Sequence, residues 1–177
     1  MHQDIEKILI DEDIIYKRLD ILAEKVTEDF EDKSIVVVAL LKGAILFMAD
    51  LLRRMPLAME IECVNVSSYH GGTESSGTVT FLDKTFPDVK GRSVLLLDDI
   101  LDTGRTLDAV TTKLSELGAA EIKTCVLLSK DIPRESVQDA DYTGFVIGSE
   151  FVVGYGLDYQ GRYRNLPYVG ILKESKI

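Results

Sequence analysis

Tryptophan is absent from the 177-residue chain, and cysteine and histidine occur only twice each. Cys63, Cys125, His2 and His70 stand too far apart in sequence to match a known zinc or disulfide spacing. Both cysteines lie in apolar, strand-like surroundings and are expected to be buried packing residues. No linker of biased composition and no internal repeat divides the chain, so a single domain over 1–177 is expected. No apolar run approaches the roughly 20 residues of a membrane span, and the N-terminus lacks a basic-then-apolar signal pattern. The expected location is therefore cytoplasmic, away from membranes. Positive charge is scarce as well: 20 Lys and Arg against 30 Asp and Glu give a net charge of −10, which argues against nucleic acid as the main partner. Neither Gly-x-x-x-x-Gly-Lys nor Gly-x-Gly-x-x-Gly occurs, so nucleotide hydrolases and dinucleotide dehydrogenases lack their phosphate loops.

What is present is organised around residues 94–107. Val94-Leu95-Leu96-Leu97 follows the turn-like Lys90-Gly91-Arg92 and reads as a strand buried on both faces. It runs into Asp98 and Asp99, then Ile100-Leu101, then Asp102-Thr103-Gly104-Arg105-Thr106. Leu107, Val110, Leu114 and Leu117 follow at helical spacing, with Gly118 placed to end the helix. The pattern is strand, acidic turn, helix. In an open parallel sheet such a junction faces the ligand crevice, and the helix N-terminus offers free N–H groups to a phosphate. Three carboxylates within five residues require compensation, which Mg²⁺ or a sugar diol supplies. A phosphorylated sugar with Mg²⁺ uses every part of the stretch.

The remaining chain supplies further candidates. Residues 13–30 form an amphipathic helix that Asp13 could cap. Residues 34–41 form a second buried strand, followed at once by Lys42-Gly43 and an apolar helix to about Arg54, a junction that suits an anion or an ordinary turn. The strand expected at 59–66 leads into a small, polar, glycine-rich stretch from Ser67 to Gly77, which reads equally as a hairpin tip or as a lid. Strands expected at 121–128 and 142–147 complete a series of βα alternations. These point to a mainly parallel α/β sheet flanked by helices, with Lys130 at a strand C-terminus. The segment 151–167 is dense in glycine and aromatics, suited to stacking on a flat heterocycle or to plain core packing.

Residues 94–107 resemble the phosphoribosyl-diphosphate motif of type I phosphoribosyltransferases. Leu41-Lys42-Gly43, Ser68-Tyr69, Lys130, and above all Phe151 to Tyr159 with Arg164 resemble the hypoxanthine/guanine branch, in order and over almost the whole chain. Asp98 departs from the usual pattern, where glutamate stands. The resemblance implies the type I fold, with a small hood from the N-terminal segment and about 150–177. It also implies Mg²⁺-dependent transfer of phosphoribosyl from phosphoribosyl diphosphate to hypoxanthine, guanine or xanthine, in a homodimer or homotetramer. Asp98 and Asp99 would hold the ribose hydroxyls and Mg²⁺, and Asp102 would be the general base at purine N7. Thr103, Gly104, Arg105 and Thr106 would cradle the 5′-phosphate. Lys42, Gly43 and Arg164 would bind pyrophosphate, with the Leu41–Lys42 peptide cis, and Ser68 and Tyr69 would belong to the lid. Lys130 would contact the purine 6-oxo group, Phe151 would stack on the ring, and Val152 and Asp158 would read its edge, Asp158 also holding a second Mg²⁺. The rival of another class is an RNA-binding transcriptional regulator on the same fold, disfavoured by the acidic balance. A phosphoaspartate phosphatase fails on spacing, because Ile100 stands two residues beyond Asp98.

Overall fold

The computed structural model describes residues 1–68, 79–82, 85–134 and 139–177. In chain order its elements are β1 (Ile5–Ile10), α1 (Glu12–Asp29), β2 (Ile35–Leu41), α2 (Ile45–Leu52), β3 (Met59–Ser68) and β4 (Val79–Phe81). There follow β5 (Ser93–Leu101), α3 (Arg105–Glu116), β6 (Glu121–Lys130), β7 (Tyr142–Ile147), β8 (Val152–Val153), β9 (Val169–Leu172) and a closing 3₁₀ turn (Glu174–Lys176).

The main sheet has the order β4-β3-β2-β5-β6-β7, parallel throughout except for the antiparallel β3–β4 pair. Its central strands read as unbroken apolar runs because both faces are covered. Val37, Ala39, Leu95, Leu97, Cys125 and Leu127 pack with α1 and α2 on one face. Val36, Val38, Leu40, Val94, Leu96 and Val126 meet Leu107, Val110 and Leu114 of α3 on the other. A second sheet, β1-β9-β8, joins the two ends of the chain over its own cluster of Ile5, Val153, Leu166, Tyr168 and Leu172. No helix among the described residues is long and apolar enough to cross a membrane.

Helix α3 stops where the sequence said it would. Gly118 lies at φ 86°, its N–H donating to Ser115 O while Ala119 N–H reaches Leu114 O, the paired bonds of a Schellman motif. Three expectations need correction. Helix α1 is capped by Asp11, not Asp13, and through its backbone carbonyl, which accepts from Ile14 and Ile15 N–H. Cys63 is exposed rather than buried, because the start of β3 carries Glu60, Ile61, Glu62 and Cys63 all open to solvent. Cys125 is buried, and burial pushes its thiol far above the usual range. The acidic residues Asp98 and Asp99 also belong to β5 itself rather than to a turn after it.

Candidate active site

Strand order reverses between β2 and β5: the chain leaves β2 toward β3 on one side and leaves β5 toward β6 and β7 on the other. Two helices therefore depart to opposite faces and leave a crevice at the C-terminal ends of these two strands. A cavity of about 240 Å³ occupies it. From β5 and the following loop come Asp98, Asp99, Asp102, Thr103, Gly104 and Thr106; from beyond β2 comes Gly43, and from the C-terminal segment Asp158 and Arg164.

Each wall has a local cause. Beyond the last apolar pair, β5 still keeps register with β6, Asp98 opposite Val126 and Leu101 opposite Ser129, so the carboxylates are presented from a rigid strand end. Asp98 Oδ1 accepts from Asp99 N–H at 3.0 Å and Asp99 Oδ1 from Ile100 N–H at 2.9 Å, which fixes both side chains on their own backbone. Gly104 takes φ 81° at the N-cap of α3, a left-handed turn that glycine adopts without steric cost. The first N–H groups of α3 thereby open toward the cavity.

Desolvation and the mutual repulsion of the pair push Asp98 well above the ordinary carboxylate range. Desolvation raises Asp99 as well, and the Arg164 guanidinium partly offsets the effect. Two close carboxylates held from their ionised form by their surroundings are a donor set that fits a divalent cation. Among the described residues there is no cluster of three or more His, Cys, Asp or Glu that could hold a metal by protein groups alone. A cation here would need ligand oxygens from a substrate or water.

Beyond β2 the Leu41–Lys42 peptide is cis. A Cβ on Gly43 would overlap the Asp99 carboxylate, and a Cβ on Gly156 would overlap the Gly43 carbonyl oxygen. Asp99, the Gly43 backbone and Gly156 form three layers in contact. Gly156 lies at φ 103° between Tyr155 (φ 49°) and a chain that folds back to donate Gly156 N–H to Arg164 O. Tyr155 is buried and its hydroxyl donates to Asp50 of α2 at 2.6 Å, so the helix that follows Gly43 is tied to the same segment. Arg164 donates to Gly156 O at 2.6 Å and pairs with Asp158 Oδ1 at 2.6 Å, while Asp158 Oδ2 accepts from Gly161 N–H at 2.7 Å.

Lys130, at the end of β6, pairs through Nζ with Asp102 Oδ2 at 2.9 Å. Phe151 is exposed and edge-on to Tyr159, with ring centroids 5.5 Å apart. Val152 is buried in β8 opposite Ile171. Lys42 and Arg105 are exposed and do not line the cavity. Tyr69 lies outside the described residues, and of Ser68 only the backbone, ending β3, is described.

Sequence reasoning missed two features here. The room made for Asp99 by Gly43 had no signal beyond the glycine itself. Arg134, four residues past Lys130, donates to the main chain of both Asp102 and Lys130, and only its place just after a strand end could have drawn attention.

Comparison with known proteins places the fold in a family. The family model for the phosphoribosyl transferase domain matches residues 7–160. The hypoxanthine-guanine phosphoribosyltransferase of Streptococcus pneumoniae is 45% identical over 175 residues, covering 99% of this chain and 97% of the relative. The bifunctional protein TilS/HprT of Listeria innocua is 46% identical over 173 residues; the chain is covered to 98% but spans only 27% of that relative's length. A crystal structure of a hypoxanthine phosphoribosyltransferase from Staphylococcus aureus superposes with a TM-score of 0.93 at 40% identity, covering 99% of this chain and 96% of that one. The RNA-binding reading is not favoured by these relatives. With the type I phosphoribosyltransferase fold, the strand-end carboxylates and this breadth of similarity in hand, the chain belongs to the phosphoribosyltransferase family, in its hypoxanthine-guanine branch.

Proposed function

We propose that the protein salvages 6-oxopurines, joining hypoxanthine, guanine or xanthine to the phosphoribosyl group of phosphoribosyl diphosphate to give the nucleoside monophosphate and pyrophosphate. The observation that carries this reading is the Lys130–Asp102 pair, set beside the carboxylates and helix start that suit a phosphorylated sugar. The O6 and N7 atoms of a 6-oxopurine are neighbours on one edge, and the Lys130 ammonium is held 2.9 Å from the Asp102 carboxylate that lines the cavity.

In this reading the 5′-phosphate lies on the main-chain amides and hydroxyls of Thr103, Gly104, Arg105 and Thr106 at the start of α3. Asp98 and Asp99 hold the ribose hydroxyls and, with substrate oxygens, Mg²⁺. When bound, Mg²⁺ supplies charge neutralisation to the departing pyrophosphate. Lys42, the Gly43 backbone and Arg164 take the pyrophosphate. Lys130 donates to the purine 6-oxo group, Phe151 stacks on the ring, and the main chain at Val152 and Asp158 reads its edge. Asp102 accepts the N7 proton as N9 forms its bond to C1′ and the C1′–pyrophosphate bond breaks. A second Mg²⁺ at Asp158 would share that carboxylate with Arg164 and Gly161 N–H.

The small β1-β9-β8 sheet and the segment leading to it act as the hood over the base. Ser68 and Tyr69 belong to a lid that excludes water from the oxocarbenium-like transition state. The same reading places the protein in the cytoplasm as a homodimer or homotetramer.

The test mixes the protein with phosphoribosyl diphosphate, Mg²⁺ and, in turn, hypoxanthine, guanine, xanthine and adenine, following nucleotide formation. Turnover with hypoxanthine or guanine and none with adenine is expected. Silence with every 6-oxopurine overturns the reading.

A further inference from the structure

Strands β5 and β6 are in register as far as Leu101 opposite Ser129, and there the ladder ends. Asp102 and Lys130 are the next residues along each strand, so their 2.9 Å ion pair lies beyond the last backbone pairing. Arg134 reaches the main chain on both sides of the gap. Arg134 donates through Nε to Asp102 O at 3.1 Å, and through one terminal nitrogen to Lys130 O at 2.6 Å and to Ser129 Oγ at 2.7 Å. Its other terminal nitrogen pairs with Asp139 Oδ1 at 2.7 Å. The Arg134 side chain is 10% exposed, whereas the outer anchor Asp139 is 88% exposed. Ser129 is a buried polar residue whose hydroxyl serves as one of these acceptors.

We infer that Arg134 is a positioning residue: its planar fork replaces the missing rungs of the ladder and sets the distance between Asp102 and Lys130. Guanidinium is suited to this because its five N–H donors diverge in one rigid plane, which a lysine ammonium does not reproduce. Arg134 touches the two main chains rather than their side-chain tips. Its bond to Asp102 O meets the cradle only at the peptide that carries Thr103 N–H, so it acts on the reaction chiefly through the alignment of Asp102 and Lys130.

The inference rests on the roles proposed for Asp102 and Lys130, and its test separates the two. Arg134→Met, Arg134→Lys and Asp139→Asn are compared with the parent by turnover with hypoxanthine, by calorimetric binding of phosphoribosyl diphosphate with Mg²⁺, and by crystal structure. Arg134→Met is expected to lose about 100-fold in kcat, the cost of roughly 1 Å of misplacement, with sugar-diphosphate binding held within about threefold. Its Lys130 Nζ and Asp102 Oδ2 should stand beyond hydrogen-bonding distance. Arg134→Lys should recover no more than about a tenth of the parent turnover, since charge and stem return without the fork. Asp139→Asn should keep full turnover.

Parent-like turnover in Arg134→Met with the pair intact overturns the inference, as does full recovery by Arg134→Lys or an equal loss of sugar-diphosphate binding. Should Arg134→Met fail to fold, Arg134→Lys alone decides, by the same two readouts. A parent protein with no turnover would overturn the functional reading instead, and the Lys130–Asp102 separation in the variant crystals would still judge the positioning.

Discussion

Lys130 Nζ stands 2.9 Å from Asp102 Oδ2, joining the ends of two neighbouring parallel strands. The carboxylate is 38% exposed, so the pair contributes little to stability, of the order of a surface ion pair at up to about 1 kcal/mol. Its value is chemical. In the proposed reaction the ammonium and the carboxylate would meet O6 and N7 of a 6-oxopurine.

Replacing the base should separate binding from turnover. Asp102→Asn keeps the shape of the loop and removes the proton acceptor, so kcat for hypoxanthine should fall by roughly 10²- to 10⁴-fold, with little change in phosphoribosyl diphosphate affinity. Steady-state kinetics beside calorimetry checks this. An unaltered rate would remove Asp102 from the role.

Lys130→Ala should erode the choice between 6-oxo and 6-amino purines. Losing a charged donor to an oxo group costs about 1.5–3 kcal/mol, so the preference for hypoxanthine over adenine should shrink by about 10- to 100-fold. Competition assays with the two bases measure it, and an unchanged preference refutes the contact.

Gly43→Ala places a methyl group on the Asp99 carboxylate. The carboxylate must swing away, and overpacking of this kind costs about 1–3 kcal/mol. Affinity for phosphoribosyl diphosphate with Mg²⁺ should drop at least about tenfold, because the diol and metal contacts share that carboxylate. Parent-like affinity would show that Asp99 reaches neither.

Asp99→Asn should stabilise the protein while disabling it. Asp98 and Asp99 are both raised by desolvation, and Asp98 also by its neighbour's charge. A carboxyl whose folded pKa lies above its unfolded value favours folding at low pH, and that contribution is lost as pH rises through the folded value. Without ligand or metal at neutral pH the pair is therefore a liability, and Asp99→Asn should melt about 2–4 °C higher. Between mildly acidic and neutral pH, the parent's melting temperature should also lose more than the variant's. Scanning calorimetry across pH decides, and a lower melting point for Asp99→Asn would contradict the account.

Much of this was legible because one physical pattern, apolar strands that end in chemistry, recurs at β2, β5 and β6. The boundaries that were misread share a cause. Asp98 and Asp99 looked like a turn because polarity changed there, but backbone pairing with β6 is indifferent to side-chain polarity at a crevice. Asp13 looked like the α1 cap because cap preference names side-chain oxygens, whereas Asp11 works here through its carbonyl. Cys63 was expected inside because its surroundings read as an apolar strand, yet β3 is open to solvent from Glu60 through Cys63. Partnerships across long separations, such as Gly43 with Asp99 and Gly156, or Arg134 with Asp102, leave no local periodicity to read.

The stack of Asp99, Gly43 and Gly156 also bears on how the molecule is made. During synthesis the strand end and loop that carry Gly43 leave the ribosome long before Gly156, and until it arrives the Gly43 carbonyl faces water instead of a backbone wall. A nascent chain can thus complete the whole main sheet, through β7, while still lacking one side of its pocket. The pocket's completeness reports that the segment from Gly156 to Arg164 has docked.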